Sequence, residues 1–136
     1  IIAILAAIAI PTFLGQRTKA QDSAANSLVR NAMTAIESSY VDNRDFDVAD
    51  MTADVLEAIE PSIDFVLSDA IGTPTAAAPG AVADNNQVAY YGALHTFATG
   101  TLSGSGTAWG VFVDKQAGGG TTFYEGGAAL PVGEPW

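Results

Sequence analysis

Four aspartates close together in the chain are the first side chains whose type and spacing could do chemistry. Segment 42–50, DNRDFDVAD, carries them at Asp42, Asp45, Asp47 and Asp50. A Ca²⁺ ion takes several carboxylate oxygens at once. The spacing nevertheless departs from the D-x-[DN]-x-[DN]-G loop, in which ligands stand at every second residue. We therefore expect a solvated acidic loop that holds no metal ion, and no other cofactor is indicated.

The remaining reactive groups do not form a catalytic pattern. The chain has one histidine, His95, and no cysteine, which excludes multi-histidine metal sites and thiol chemistry. No nucleophile or second base stands near His95 in a known arrangement. The glycines at 104, 106 and 110 do not open a helix after a strand, so a phosphate-binding loop is not indicated. We expect a protein that is not an enzyme. Five hydroxyls lie in small-residue loops that would admit O-glycans, although composition does not establish such modification: Thr73, Thr75, Ser103, Ser105 and Thr107.

Charge excludes a further class of function. The 136 residues suit one domain, and five basic against fifteen acidic residues give a formal charge of -10. A nucleic-acid-binding domain needs a basic surface, so this balance argues against one. The charge is also unevenly placed. Residues 1–44 hold four basic and three acidic side chains, whereas residues 45–136 hold one lysine and twelve acids.

The elements that must position these groups begin with an apolar run. All of the first ten residues, IIAILAAIAI, are apolar. A membrane-spanning helix needs about 20 such residues, so ten are too few by themselves. We expect the run to continue upstream of Ile1, which leaves both a signal peptide and a transmembrane segment open.

A long helix is predicted to follow without interruption. Residues 16–43 contain neither proline nor glycine, and their apolar positions recur at steps of three and four. Joined to the apolar run, they predict one helix of about 43 residues, roughly 64 Å long. A domain of this mass is only about 30 Å across, so half of the helix must project. A helix that is apolar on all sides is expected to be buried in lipid or among the same helices of other copies of the protein. Pro11 predicts a kink or local unwinding between about Ala7 and Pro11.

The rest of the chain indicates short strands and turns. A short helix is expected over 51–60, with Val55, Leu56 and Ile59 facing inward, and it should stop at Pro61. Residues 73–80 form a low-complexity loop, and the tail from 126 looks irregular. Strands are predicted at 63–67, 88–94, 107–114 and 121–125.

The predicted fold class is therefore α+β, with the amphipathic half of the helix packed on an antiparallel sheet of three or four strands. The predicted division is an apolar helix at 1–15, an amphipathic helix at 16–43 and a globular β-rich domain at 44–136. Six residues are expected in the helix–sheet core: Leu28, Met33, Ile36, Tyr40, Trp109 and Phe112.

Residues 1–17, IIAILAAIAIPTFLGQR, resemble the N-terminal helix of type IV pilins, in which ILAAIAIP lies inside a longer apolar helix. The match is close over about the first 20 residues. The layout that follows is also similar, and 51–63, MTADVLEAIEPSI, more loosely resembles pilins of Gram-positive bacteria. Three features depart from the family pattern. Its leader and the nearby glutamate would lie upstream of Ile1, its frequent glycine is Ala3 here, and its C-terminal cysteine pair is absent.

The resemblance implies a structural subunit of a type IV pilus that polymerises through its apolar helix. Its partners would be other copies of itself, the inner-membrane assembly machinery, and the membrane before assembly. It would end in an extracellular filament on the cell surface. Nine residues are expected in the filament core: Ile1, Ile2, Ile4, Leu5, Ile8, Ile10, Pro11, Phe13 and Leu14.

Basic residues just past the apolar run are expected to meet acids of adjacent subunits. These are Arg17, Lys19 and Arg30, with Asp22 or Glu37 as candidate acids. Two alternative functions stay open: a pseudopilin or minor pilin, and a membrane-anchored surface binding domain. The sequence does not distinguish adhesion from motility, DNA uptake or conduction.

Overall fold

The computed structural model describes residues 2–68 and 86–126 of the chain. Within the first helix it describes the side chains of Ile2 and of residue 13 onward. The predicted loop at 73–80 and the irregular tail beyond residue 126 therefore lie outside the described residues, as do Thr73 and Thr75.

Helix α1 spans Ile2–Asn43, 42 residues, and is roughly 63 Å long. The predicted long helix is confirmed. The helix is unbroken through Pro11, so the local unwinding expected near that residue is not seen. Arg44 ends the helix in a left-handed conformation, φ 64°, and its N–H donates to the carbonyl oxygen of Tyr40 at 2.7 Å. This geometry terminates a helix by satisfying one of its last carbonyl groups.

Helix α2 is shorter and less buried than the sequence indicated. It covers Ala53–Ile59 and is followed by Glu60 and Pro61, as expected from a proline stop. Leu56 is fully buried, but Val55 and Ile59 are each 39% exposed. The expectation that all three face inward is therefore wrong for Val55 and Ile59. Helix α2 has only two turns and packs at the edge of the sheet, so only Leu56 becomes fully buried.

Five strands form one mixed sheet in the order β1-β2-β3-β4-β5. Strand β1 pairs with β2 in parallel, and the other three pairs are antiparallel. The strands are β1 Asp64–Leu67, β2 Gln87–Ala93, β3 Thr96–Leu102, β4 Ala108–Asp114 and β5 Thr121–Gly126. The α+β class and the pairing of the last two strands are confirmed.

Two features of the sheet correct the sequence-based prediction. The prediction missed the central strand β3. Glycine and threonine residues interrupt the apolar pattern of this segment, which reads HTFATGTL at 95–102. In the structure Thr99 and Thr101 are buried, and their hydroxyls donate to the carbonyl oxygens of Ala89 at 3.0 Å and Gln87 at 2.7 Å. These bonds remove the penalty of burying a hydroxyl. The sheet is also mixed rather than antiparallel, since β1 runs parallel to β2.

The main core lies between α1 and one face of the sheet. Along α1 its buried residues recur with helical spacing at Val29, Ala32 and Ile36. Successive strand residues point to opposite faces, so Val111 and Val113 of β4 face the helix. Phe112, between them, packs instead with Ala98 on the opposite face. Its expected place in the helix–sheet core is therefore wrong, because strand alternation turns it away from α1.

Phe46 fixes the segment that follows α1. Its ring is fully buried, with ring centroids 4.5 Å from Tyr40 and 4.7 Å from Phe97. Gly92 allows this approach, since a Cβ at that position would lie 2.2 Å from the carbonyl oxygen of Phe46. The acidic segment is therefore not a free loop, because a buried aromatic residue within it holds it to the domain.

Candidate assembly surface

The first half of α1 is exposed along the whole stretch whose side chains are described. Residues 13–20 are all exposed, and the first buried side chain among those described is that of Ala25. Ile2 is 84%, Phe13 69% and Leu14 55% exposed. From Ile2 to Ala25 the helix runs roughly 35 Å, at 1.5 Å per residue. The described side chains before Ala25 therefore lie outside the buried core between α1 and the sheet. Residues 2–24 of α1 are called the rod below.

Of the nine residues expected in the filament core, the structure describes the side chains of three, Ile2, Phe13 and Leu14, and all three are exposed. The other six side chains lie outside the described set: Ile1, Ile4, Leu5, Ile8, Ile10 and Pro11. The part of the chain that the structure describes contains no helix long and apolar enough to span a membrane.

The turn between β3 and β4 is tied to α1 near the end of the rod. Asp22 Oδ1 accepts a hydrogen bond from Ser103 Oγ at 2.7 Å and a second, short one from Ser105 Oγ. Ser105 Oγ also accepts from the backbone N–H of Thr107 at 3.3 Å. The hydroxyls of Ser105 and Ser103 favour the charged carboxylate and hold the pKa of Asp22 below its usual value. The helix thereby sets the position of this turn.

A groove lies beside this contact, between α1 and the β3–β4 turn, and its volume is about 300 Å³. Ala20 and Ala24 form part of its helix wall, and Leu102 and Gly104 form part of its sheet wall. Arg17 stands at the end nearer the N-terminus of α1. The groove is mostly apolar and open on one side.

Three of the charged residues expected at intersubunit contacts instead form contacts within their own chain. Arg30 lies over the ring of Phe123 at 4.5 Å, and its Nε donates to Asn26 Oδ1 at 2.8 Å. Glu37 accepts from Lys115 Nζ at 2.7 Å. Asp22 bonds to the turn hydroxyls, as described above. Apart from the local Arg30–Asn26 bond, sequence reasoning missed these contacts because they join residues 78 to 93 positions apart in the chain.

Arg17 and Lys19 remain as the basic pair of the rod. Both side chains are exposed, and within the described ranges 2–68 and 86–126 neither forms an ion pair. An exposed pair with an acid of another subunit would contribute only about 0–1 kcal/mol.

The helix–sheet core contains five of its six expected residues. Ile36 is buried in it, and four others are half-buried against it: Leu28, Met33, Tyr40 and Trp109. This core packs the second half of α1 against the sheet.

The residues considered for metal binding or catalysis are not brought together. In the acidic loop, Asp45 Oδ1 accepts from the N–H of Asp47 at 3.2 Å, and Asp47 Oδ1 from the N–H of Ala49 at 2.9 Å. These are local turn contacts. Over the described residues, no three acidic or histidine side chains converge on a common point. His95 is exposed in the turn after β2, and its carbonyl oxygen accepts from the N–H of Lys115 at 2.8 Å.

Comparison with known proteins gives no assignment: no family model, no curated protein and no solved structure matches this chain significantly. The structure itself defines the architectural class, a long N-terminal helix packed on a five-stranded, mostly antiparallel sheet, which is consistent with a pilin fold.

Proposed function

We propose that this chain is a structural subunit that polymerises through α1 into a type IV pilus-like filament. The observation that carries the proposal is the exposed rod: the described side chains of residues 13–20 of α1 are all exposed, Phe13 and Leu14 among them. In a monomer, contact between such a surface and water is unfavourable by about 25 cal/mol per Å² of apolar area. Association of identical rods removes that area from water.

The sequence of the rod supports the same proposal. The order ILAAIAIP at 4–11 resembles the type IV pilin helix, and the globular part that follows adds a helix-on-sheet domain of the kind expected from that resemblance. In the proposed filament the rods bundle at the centre and the acidic domains form the outer surface. Before assembly the same helix would hold the subunit in the membrane, where the inner-membrane assembly machinery would collect it.

The proposed role is structural and not enzymatic. It requires neither a cofactor nor a metal ion. It places the protein on the cell surface, in a pilus or, as the related alternative, as a pseudopilin or minor pilin. A membrane-anchored surface binding domain is the alternative from a different class, and it would use the same rod without forming filaments.

A charge placed in the rod tests the proposal. Ile8→Asp would put a carboxylate into the dry bundle, which costs several kcal/mol if it is unpaired. We expect no filaments by electron microscopy from this variant, while the near-UV circular dichroism of the folded domain stays unchanged. Ile8→Leu conserves volume and polarity, and it should assemble normally.

The outcomes separate the three functions. Abundant filaments of the unaltered chain support a major subunit, and a low copy number within filaments of another protein favours the minor pilin. A membrane-bound monomer that never polymerises would favour the anchored binding domain. Normal filaments from Ile8→Asp would refute assembly through this helix.

A further inference from the structure

The surface of α1 changes abruptly from apolar to charged. Residues 2–14 carry no charge and are apolar apart from Thr12. The first charged side chains of the helix, Arg17 and Lys19, follow within five positions of Leu14. Leu14 and both cations are exposed. One helix therefore presents a long apolar segment and, directly beyond it, two positive charges.

Neither cation is neutralised by the described part of the chain. The acid that could pair with Lys19 along the helix is Asp22, three residues further on. Its Oδ1 instead accepts hydrogen bonds from the hydroxyls of Ser103 and Ser105 in the β3–β4 turn. That turn, SGSGT at 103–107, holds no charged side chain of its own. The fold thus takes up the nearest acid and leaves both positive charges available to an outside ligand.

The spacing along α1 matches the thickness of a lipid headgroup layer. For an upright helix, Arg17 and Lys19 lie about 4.5 and 7.5 Å beyond Leu14, at 1.5 Å per residue. A bilayer is about 40–45 Å thick around a hydrocarbon core of about 30 Å, so each headgroup layer measures about 5–8 Å. Asp22, the first acid, lies about 12 Å beyond Leu14. With Leu14 at the edge of the hydrocarbon, both cations reach the phosphates and the acid stays outside them.

The apolar segment is long enough for this placement. From residue 2 to residue 14 the helix covers about 18 Å, more than the roughly 15 Å of hydrocarbon in one leaflet. Arg17 and Lys19 are two positions apart, so they project about 200° apart around the helix. Long basic side chains at the end of an apolar helix extend toward the headgroups. The two cations can therefore bind phosphates on opposite sides of α1.

The acidic domain makes these two cations decisive at an anionic surface. Residues 45–136 hold one lysine and twelve acids, so an anionic surface repels them. Two other basic side chains have partners in their own chain. Arg30 lies over the ring of Phe123. Lys115 pairs with Glu37 at 2.7 Å. Attraction to an anionic surface beside the apolar segment therefore depends on the cations that directly follow it.

We propose that Arg17 and Lys19 bind the phosphate groups of anionic phospholipids before assembly, and that this contact sets the depth at which α1 enters the membrane surface. The inference rests on the proposed function, in which α1 holds the unassembled subunit in the membrane. It adds the class of lipid that the subunit selects and the two side chains that select it.

Binding to lipid vesicles tests the contact with the full chain. Subunits diluted from detergent are mixed with vesicles of phosphatidylcholine, with or without phosphatidylglycerol, and the bound fraction is measured by flotation. Each cation near an anionic surface is expected to contribute about fivefold to binding. The preference for anionic vesicles should therefore fall by at least about tenfold in the double variant Arg17→Gln, Lys19→Gln. Binding to pure phosphatidylcholine should stay unchanged, because residues 2–14 are unaltered.

Arg44→Gln is the matched control. It removes the same charge from an exposed side chain of the same chain, about 40 Å from Arg17 along α1. Its preference for anionic vesicles should match that of the unaltered chain. In 1 M NaCl, where charges are screened within about 3 Å, the preference should disappear. Inorganic phosphate should weaken binding no more than NaCl of equal ionic strength. A larger effect of phosphate would mean that the cations bind the free ion, and would refute selection of a lipid.

The outcomes separate this contact from the filament function. An unchanged preference in the double variant, or an equal loss in Arg44→Gln, would overturn the headgroup contact. Filaments of the unaltered chain in electron micrographs would still support the structural role. A chain that binds neither kind of vesicle would overturn both the contact and the membrane-held stage. Selective binding by a chain that never polymerises would support the contact and refute the filament.

Discussion

Ile36→Ala tests whether the helix–sheet core holds the rod in place. Ile36 is 0% exposed and lies in the core between α1 and the sheet. The change removes three carbon atoms, worth about 2.4 kcal/mol at roughly 0.8 kcal/mol each. The residual cavity adds to this loss, and buried Ile→Ala changes typically cost about 2–5 kcal/mol in total. We therefore expect a loss of about 3–4 kcal/mol in the free energy of unfolding.

The assay is thermal unfolding of the full chain in mild detergent, followed by near-UV circular dichroism. With a few degrees per kcal/mol for a domain of this size, Tm should fall by at least about 10 °C. Val41→Ala is the matched control, since it also replaces a β-branched residue of α1 by alanine, but at a side chain that is 75% exposed. Its effect should stay within about 0.5 kcal/mol. Equal Tm values for the two variants would refute the packing of Ile36 against the sheet.

Four further predictions concern low pH, high pH, salt and a close contact. Because the pKa of Asp22 is lowered in the folded state by the hydroxyls of Ser105 and Ser103, its contribution to stability is present above about pH 4 and is lost as pH falls further. Asp22→Asn should flatten the acid limb of a Tm-versus-pH curve, and an unchanged limb would contradict this. Burial, with smaller effects of Glu57 and Asp54, raises the pKa of Tyr90 to about 12. Stability should therefore fall as pH rises above about 10, and Tyr90→Phe should remove that fall whereas Tyr91→Phe should keep it. Filaments should survive 1 M NaCl at pH 7, where charges are screened within about 3 Å, and should bundle as pH approaches the sequence pI of about 4.1. Dissociation in salt, measured by sedimentation, would mean that ion pairs hold the filament. Gly92→Ala should lower Tm clearly, because the new Cβ would meet the carbonyl oxygen of Phe46, whereas Gly120→Ala meets nothing within 4 Å.

The sequence by itself determined the long helix and most of the strands. A run without proline or glycine from residue 16 to 43 and a repeat of apolar positions with helical period identify α1, whose observed end is Asn43. Aromatic and β-branched runs located four of the five strands to within a residue or two. These features are local, since they depend on the backbone preferences and hydrophobic pattern of neighbouring residues.

Tertiary structure alone decided which polar residues are buried and which form hydrogen bonds with distant parts of the chain. Strand β3 is central because Thr99 and Thr101 find carbonyl acceptors on β2, a pairing that its own sequence does not reveal. Asp22 is likewise bound to a turn more than 80 residues away. Hydrogen bonds of this kind depend on the register between distant strands and helices, and the burial of polar groups is favourable only once that register is set.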